Sequence, residues 1–126
     1  MNNVVSKNIF VVDDEPMITE SMKDFLVDNF GHTVSVFPTG EDCLAHLDED
    51  PDIIILDYYL NSVRKDAADG MEILQFIRIN YPKIRIIILS GLEQHKTVNQ
   101  TLEQGAENFV YKDDDAFNTI AKLVND

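Results

Sequence analysis

The chain has 126 residues, 44% hydrophobic and 26% charged, with five Gly and four Pro. That is the make-up of one soluble globular domain, long enough to bury roughly two-thirds of its unfolded surface without a disulfide or metal staple. Ten Lys and Arg against 23 Asp and Glu leave a formal net charge of -13, which repels phosphate backbones and anionic membranes and argues against direct nucleic-acid binding. Cys43 is the single cysteine, so an internal disulfide and a cysteine-built zinc site are both excluded. With no signal-like amino terminus and no apolar run longer than a strand, the chain reads as cytoplasmic and not membrane-spanning.

Short apolar runs alternate with longer segments of helical period, and no Gly-, Ser- and Pro-rich linker divides them. Residues 1–126 therefore read as one domain with its core over about residues 8–125. Asn8 to Val12 is β-branched and aromatic, predicts the first strand, and stops at Asp13-Asp14-Glu15-Pro16; Pro suits the first turn of a helix. Ile18, Met22, Phe25, Leu26 and Phe30 then form a helical stripe that ends at Gly31, a helix terminator. His32 to Phe37 alternates as a second strand, and Gly40 to Asp48 predicts a short helix with Cys43, Leu44 and Leu47 inward.

Ile53 to Leu56 lacks polar alternation, as a strand covered on both faces does, and it delivers Asp57. After a polar loop, Gly70 to Asn80 predicts a helix on Met71, Leu74 and Ile77, and Pro82 closes it before the strand Ile84 to Leu89, which ends at Ser90-Gly91. Glu93 to Gln104 is a weakly amphipathic helix anchored by Val98 and Leu102, Gly105 caps it, and Asn108 to Tyr111 is the fifth strand, followed by Lys112. Ala116, Phe117, Ile120, Ala121, Leu123 and Val124 form a last helix. Five βα units predict a flavodoxin-like, doubly wound α/β fold: a parallel sheet in the order 2-1-3-4-5, helices on both faces, and a ligand crevice at the carboxyl ends of strands one and three.

Those carboxyl ends carry Asp13, Asp14, Asp57, Ser90 and Lys112. Three converging carboxylates are unfavourable unless a cation offsets them or some stay protonated. An all-oxygen set without His or Cys favours Mg²⁺ over zinc. Each element has an ordinary reading when taken singly: the Asp13–Glu15 acids as caps of the first helix, Asp57 as a loop acid, Ser90-Gly91 as a turn, Phe109 as core and Lys112 as a solvated charge. Their joint occurrence at the ends of strands one, three, four and five is what points to phosphoryl chemistry.

On these residues the chain resembles the receiver domain of two-component response regulators, of the chemotaxis-regulator type, from Asn8 to the carboxyl terminus. The resemblance implies Mg²⁺ held by Asp13, Asp14, Asp57 and the backbone carbonyl of Tyr59, with Asp14 ligating directly and Asp13 through water. It implies Asp57 as phosphoacceptor, Ser90 and Lys112 as its partners, and Ser90 with Phe109 as the switch pair. It further implies a histidine kinase or phosphotransfer protein as donor and an output protein or attached output domain as target. The resemblance also implies dimerisation on phosphorylation as one mode of output, and a chain that acts as a phosphoacceptor and not as an enzyme in its own right. The runner-up is a degenerate receiver that serves only as an interaction module.

Two departures bear on regulation. Residues 58–69, with Arg64, Lys65, Asp66 and Asp69, make a longer loop than the family usually has there, either a contact surface beside the site or a tolerated insertion. Lys112 is followed by Asp113-Asp114-Asp115 and not by the usual Pro; a cis bond without Pro costs about 3 kcal/mol, so a trans bond and a differently aimed lysine are expected. The three acids would also compete for its ammonium. His32, His46 and His95 read as surface residues. A haloacid-dehalogenase-type phosphatase is disfavoured because the residue two after Asp13 is Glu15, and a flavodoxin because acids stand where a flavin phosphate would sit. Ending directly after the last helix, the chain reads as a stand-alone receiver or a piece of a longer regulator.

Overall fold

The computed structural model describes residues 5–58, 70–91 and 95–126, with side chains in the last stretch from Val98 onward. The strands are β1 (Asn8–Val12), β2 (Thr33–Phe37), β3 (Ile53–Asp57), β4 (Arg85–Ser90) and β5 (Asn108–Tyr111). The helices are α1 (Pro16–Phe30), α2 (Gly40–Leu44), α3 (Gly70–Asn80), α4 (His95–Glu103) and α5 (Ala116–Val124). All strand pairs are parallel and the sheet runs β2-β1-β3-β4-β5, the predicted flavodoxin-like order. Among the described residues no helix is long and apolar enough to cross a membrane.

Side-chain alternation along the strands builds two cores. Phe10, Val12, Ile54, Leu56, Ile86 and Ile88 face Cys43, Leu47, Ile73, Leu74 and Ile77, on the side of α2 and α3. Ile9, Val11, Ile53, Ile55, Ile87 and Leu89 face Met22, Leu26, Ile120 and Val124, on the side of α1 and α5. Ile53 through Leu56 is fully buried, which explains its unbroken apolar run. Cys43 is part of this interior, and burial pushes its thiol up to about 12.

Local signals account for the helix ends. Pro16 opens α1, and Gly31 closes it in the left-handed conformation at φ 74°, its N–H donating to the Val27 carbonyl. Thr39 caps α2 by accepting from the Asp42 N–H at 3.1 Å. The segment predicted as one helix over 40–48 is α2 followed by a separate 3₁₀ turn at Leu47–Glu49; Leu47 is buried while Leu44 is half-buried. Strands β2 and β4 each begin one residue later than their apolar patterns suggest.

Two expectations are corrected. Leu102 is 42% exposed and Thr101 fully buried, so Val98 and Thr101, not Leu102, turn toward the sheet. The Thr101 hydroxyl donates to its own helix's Val98 carbonyl at 2.9 Å, which removes the cost of burying it and hides the contact from an apolar pattern. His32 is also buried, at 3% exposure. Its Nδ1 accepts the Lys7 backbone N–H at 3.1 Å, which places the ring proton on Nε2, 2.7 Å from Asn125 Oδ1. It clasps segments from both ends of the chain. His46 is exposed, its Nδ1 donating to the Asp42 carbonyl at 2.8 Å, and the side chain of His95 lies outside the described residues.

Candidate functional site: an acidic crevice beneath Lys112

Register decides which strand ends meet. Val12 pairs with Leu56, and Asp57 pairs with Leu89, so Asp13 leaves β1 directly beside Asp57 on β3. Ser90 pairs with Tyr111, and the Lys112 N–H donates to the Ser90 carbonyl at 2.9 Å, which sets the lysine at the same edge. Asp13 is 2% exposed and Asp57 4%, and Ser90 is fully buried; Asp14 is half-buried. One carboxylate oxygen from each of Asp13, Asp14 and Asp57 lies within 4.8 Å of the others.

Lys112 reaches back over this cluster. Its Nζ is 3.0 Å from Asp13 Oδ2, 3.5 Å from Asp57 Oδ2 and 3.5 Å from Glu15 Oε1. Burial pushes the Asp13 carboxyl above the usual carboxylate range, and the Lys112 ammonium and the Glu15 N–H only partly offset it. For Lys112 the balance is reversed: burial works against its charge, but Asp13, Asp57 and Glu15 outweigh it and hold the ammonium above the usual lysine range.

The lysine is not diverted by the acids that follow it. Lys112–Asp113 is a trans peptide, as anticipated, but none of Asp113, Asp114 and Asp115 pairs with the ammonium. Asp113 Oδ1 instead accepts the Asp115 N–H at 3.0 Å and closes its own turn. Besides Asp13 and Asp57, the acid that reaches Lys112 is Glu15, which is absent from the set read off the strand ends. Glu15 is the N-cap residue of α1 but its side chain makes no capping bond, so capping leaves its carboxylate unexplained.

Phe109 is half-buried, packs against the core on the α3 side, and meets Tyr111 edge-on with ring centres 5.5 Å apart. Tyr59 and the rest of the loop through Asp69 lie outside the described residues. The residues that bracket it are joined, because the Gly70 N–H donates to the Tyr58 carbonyl at 3.1 Å. A Cβ on Gly70 would stand 2.5 Å from that oxygen, so glycine is required for α3 to start this close to Asp57. A cleft of about 760 Å³ lined by Val5, Leu47, Pro51, Tyr81 and Ile84 opens elsewhere, and it holds none of the site residues.

The donor set suits a hard divalent cation. It is all oxygen, with no imidazole or thiolate, and Asp13 Oδ2 is buried without a hydrogen bond although it lies at ion-pair distance from Lys112. A carboxylate, a hydroxyl and an ammonium around such a cluster are the elements that phosphoryl groups require.

Comparison with known proteins agrees with this geometry. The family model of the response regulator receiver domain matches residues 9–124. A probable C4-dicarboxylate response regulator, DctR of Bacillus subtilis, is 30% identical over 106 residues, covering 82% of this chain and 45% of its own length. The chain spans about half the length, or less, of the curated relatives it matches. The BeF3-activated receiver domain of DrrB, from Thermotoga maritima, superposes with a TM-score of 0.79 at 28% identity over 94% of this chain and 95% of that one. A Francisella response regulator receiver domain shares the fold with a TM-score of 0.83 at 22% identity, covering 95% of this chain and 94% of that one. Strand order, crevice and family match agree, and the chain belongs to the response regulator receiver domains.

Proposed function

We propose that this chain is a phosphorylation switch that accepts a phosphoryl group on Asp57 from a histidine kinase or phosphotransfer protein and passes the signal to an output protein or attached output domain. The observation that carries the reading is the convergence of Asp13, Asp14 and Asp57 within 4.8 Å beneath the Lys112 ammonium. Asp13, Asp14 and Asp57, with the Tyr59 carbonyl, would hold Mg²⁺, which when bound supplies positive charge beside the phosphoryl oxygens.

An oxygen of Asp57 forms the new bond to phosphorus, in line with the breaking bond to the donor nitrogen, and the departing imidazole keeps the electron pair and takes a proton. Lys112 hydrogen-bonds the equatorial oxygens, so the protein's share of the work is positioning and neutralisation. Ser90 then gains a bond to a phosphoryl oxygen that exists only in the acyl phosphate, and Phe109 turns into the space vacated beneath it. A contact present in one state only biases a two-state surface, here α4, β5 and α5. Moving such a surface from about one to about ninety-nine percent active needs roughly 5.5 kcal/mol.

The test is intact mass after incubation with a small acyl phosphate and Mg²⁺. One added phosphoryl group is expected, absent from Asp57→Asn and from a sample with chelator. No addition to the parent chain refutes the reading in favour of a phosphorylation-independent interaction module.

A further inference from the structure

Lys112 sits among three carboxylates of two kinds. Asp13 and Asp57 are buried inside the crevice, their side chains 1% and 5% exposed, whereas Glu15, 61% exposed, stands at its rim. The backbone of Glu15 is fully committed: its carbonyl accepts the Ile18 and Thr19 N–H groups at 3.0 and 3.1 Å, and its own N–H donates to Asp13 Oδ1 at 3.0 Å. The side chain, having no capping role, turns to Lys112.

We propose that Glu15 is a positioning residue that tethers the Lys112 ammonium to the α1 side of the crevice and so limits how readily it is given up to a phosphoryl group arriving at Asp57. The inference rests on the phosphoacceptor reading of Asp57. Asp13 and Asp57 hold the lysine from inside the crevice and stay near the reacting centre whatever is bound. Glu15 pulls from the outside, on a side chain free to move, and competes directly with the equatorial oxygens for the same donor. As an exposed contact it is weak and sensitive to salt, which suits a brake better than a lock.

The experiment compares the full chain with Glu15→Gln and Glu15→Asp, at low and at high salt. It reads the initial rate of phosphoryl acceptance from a small acyl phosphate with Mg²⁺, and the NMR signals of the Lys112 side chain in the unphosphorylated protein. Glu15→Gln is expected to speed acceptance about three- to five-fold at low salt, the range open to an exposed ion pair, with the gain fading at high salt. Glu15→Asp keeps the charge but is one methylene too short, so it speeds acceptance as well, and the Lys112 signals move in both variants. A purely structural or capping role predicts slower acceptance, and a general field effect predicts that Glu15→Asp matches the parent; either result, or unmoved Lys112 signals, overturns the proposal. If the parent accepts no phosphoryl group, the Asp57 reading has failed, and the Lys112 signals alone decide the tether.

Discussion

Replacing Lys112 with Met keeps an unbranched stem of similar length and removes the charge over the acidic cluster. Unit charges at 3.0 and 3.5 Å, the separations of Nζ from Asp13 and Asp57, attract by roughly 5 kcal/mol each at an effective dielectric of about 20. Most of that is returned as desolvation, but the change takes the Lys112 charge away from two buried carboxylates, and breaking a buried pair costs about 3 kcal/mol. The pH dependence has a definite sign. Asp13 titrates above its ordinary 3.8 in the folded protein, so the folded state holds that proton more tightly than the unfolded chain. Its protonation favours folding as pH falls toward the carboxylate range, and the benefit is lost as pH rises through the raised value. Without Lys112, the main group holding that value down, the raised value climbs further. Urea unfolding of Lys112→Met should therefore show a deficit of about 3 kcal/mol at pH 7 that shrinks as pH falls into the carboxylate range. Millimolar Mg²⁺ should recover part of it by binding the folded state alone. A variant as stable as the parent at pH 7, or a deficit that does not change with pH, would refute this account of the crevice.

Two further perturbations test the scaffold. Gly70→Ala places a Cβ 2.5 Å from the Tyr58 oxygen and 2.7 Å from its Cα; both are backbone atoms, so the start of α3 or the Tyr58 peptide must shift, at about 2 kcal/mol. The urea midpoint should fall, and phosphoryl acceptance with it because Tyr58 follows Asp57; an unchanged midpoint contradicts the contact. His32→Ala removes the acceptor of the Lys7 N–H and the donor to Asn125, at about 2 kcal/mol. Hydrogen exchange should accelerate at Lys7 and over the last turn of α5, and unchanged protection there would show that the clasp does not hold.

Much of this molecule is legible along the chain, for a local reason. An apolar run of strand length records that both its faces are covered, a stripe of helical period records one buried side, and an acid placed directly after a strand is delivered to the carboxyl edge. Asp13, Asp57, Ser90 and Lys112 could therefore be assigned to one edge without coordinates, and βα alternation made the sheet parallel. Tertiary structure decided which of these groups touch. Register put Asp13 against Asp57, and the long stem of Lys112 carried its ammonium to Glu15, 97 residues away, past the three acids that follow it in the chain. The same holds for His32, buried where Lys7 and Asn125 come together over it; the Thr101 hydroxyl is satisfied within its own helix, and the tertiary structure decided only that this face of the helix turns inward. Periodicity reports the face of an element that is covered; charge pairing and polar burial depend on partners that only the folded chain brings within reach.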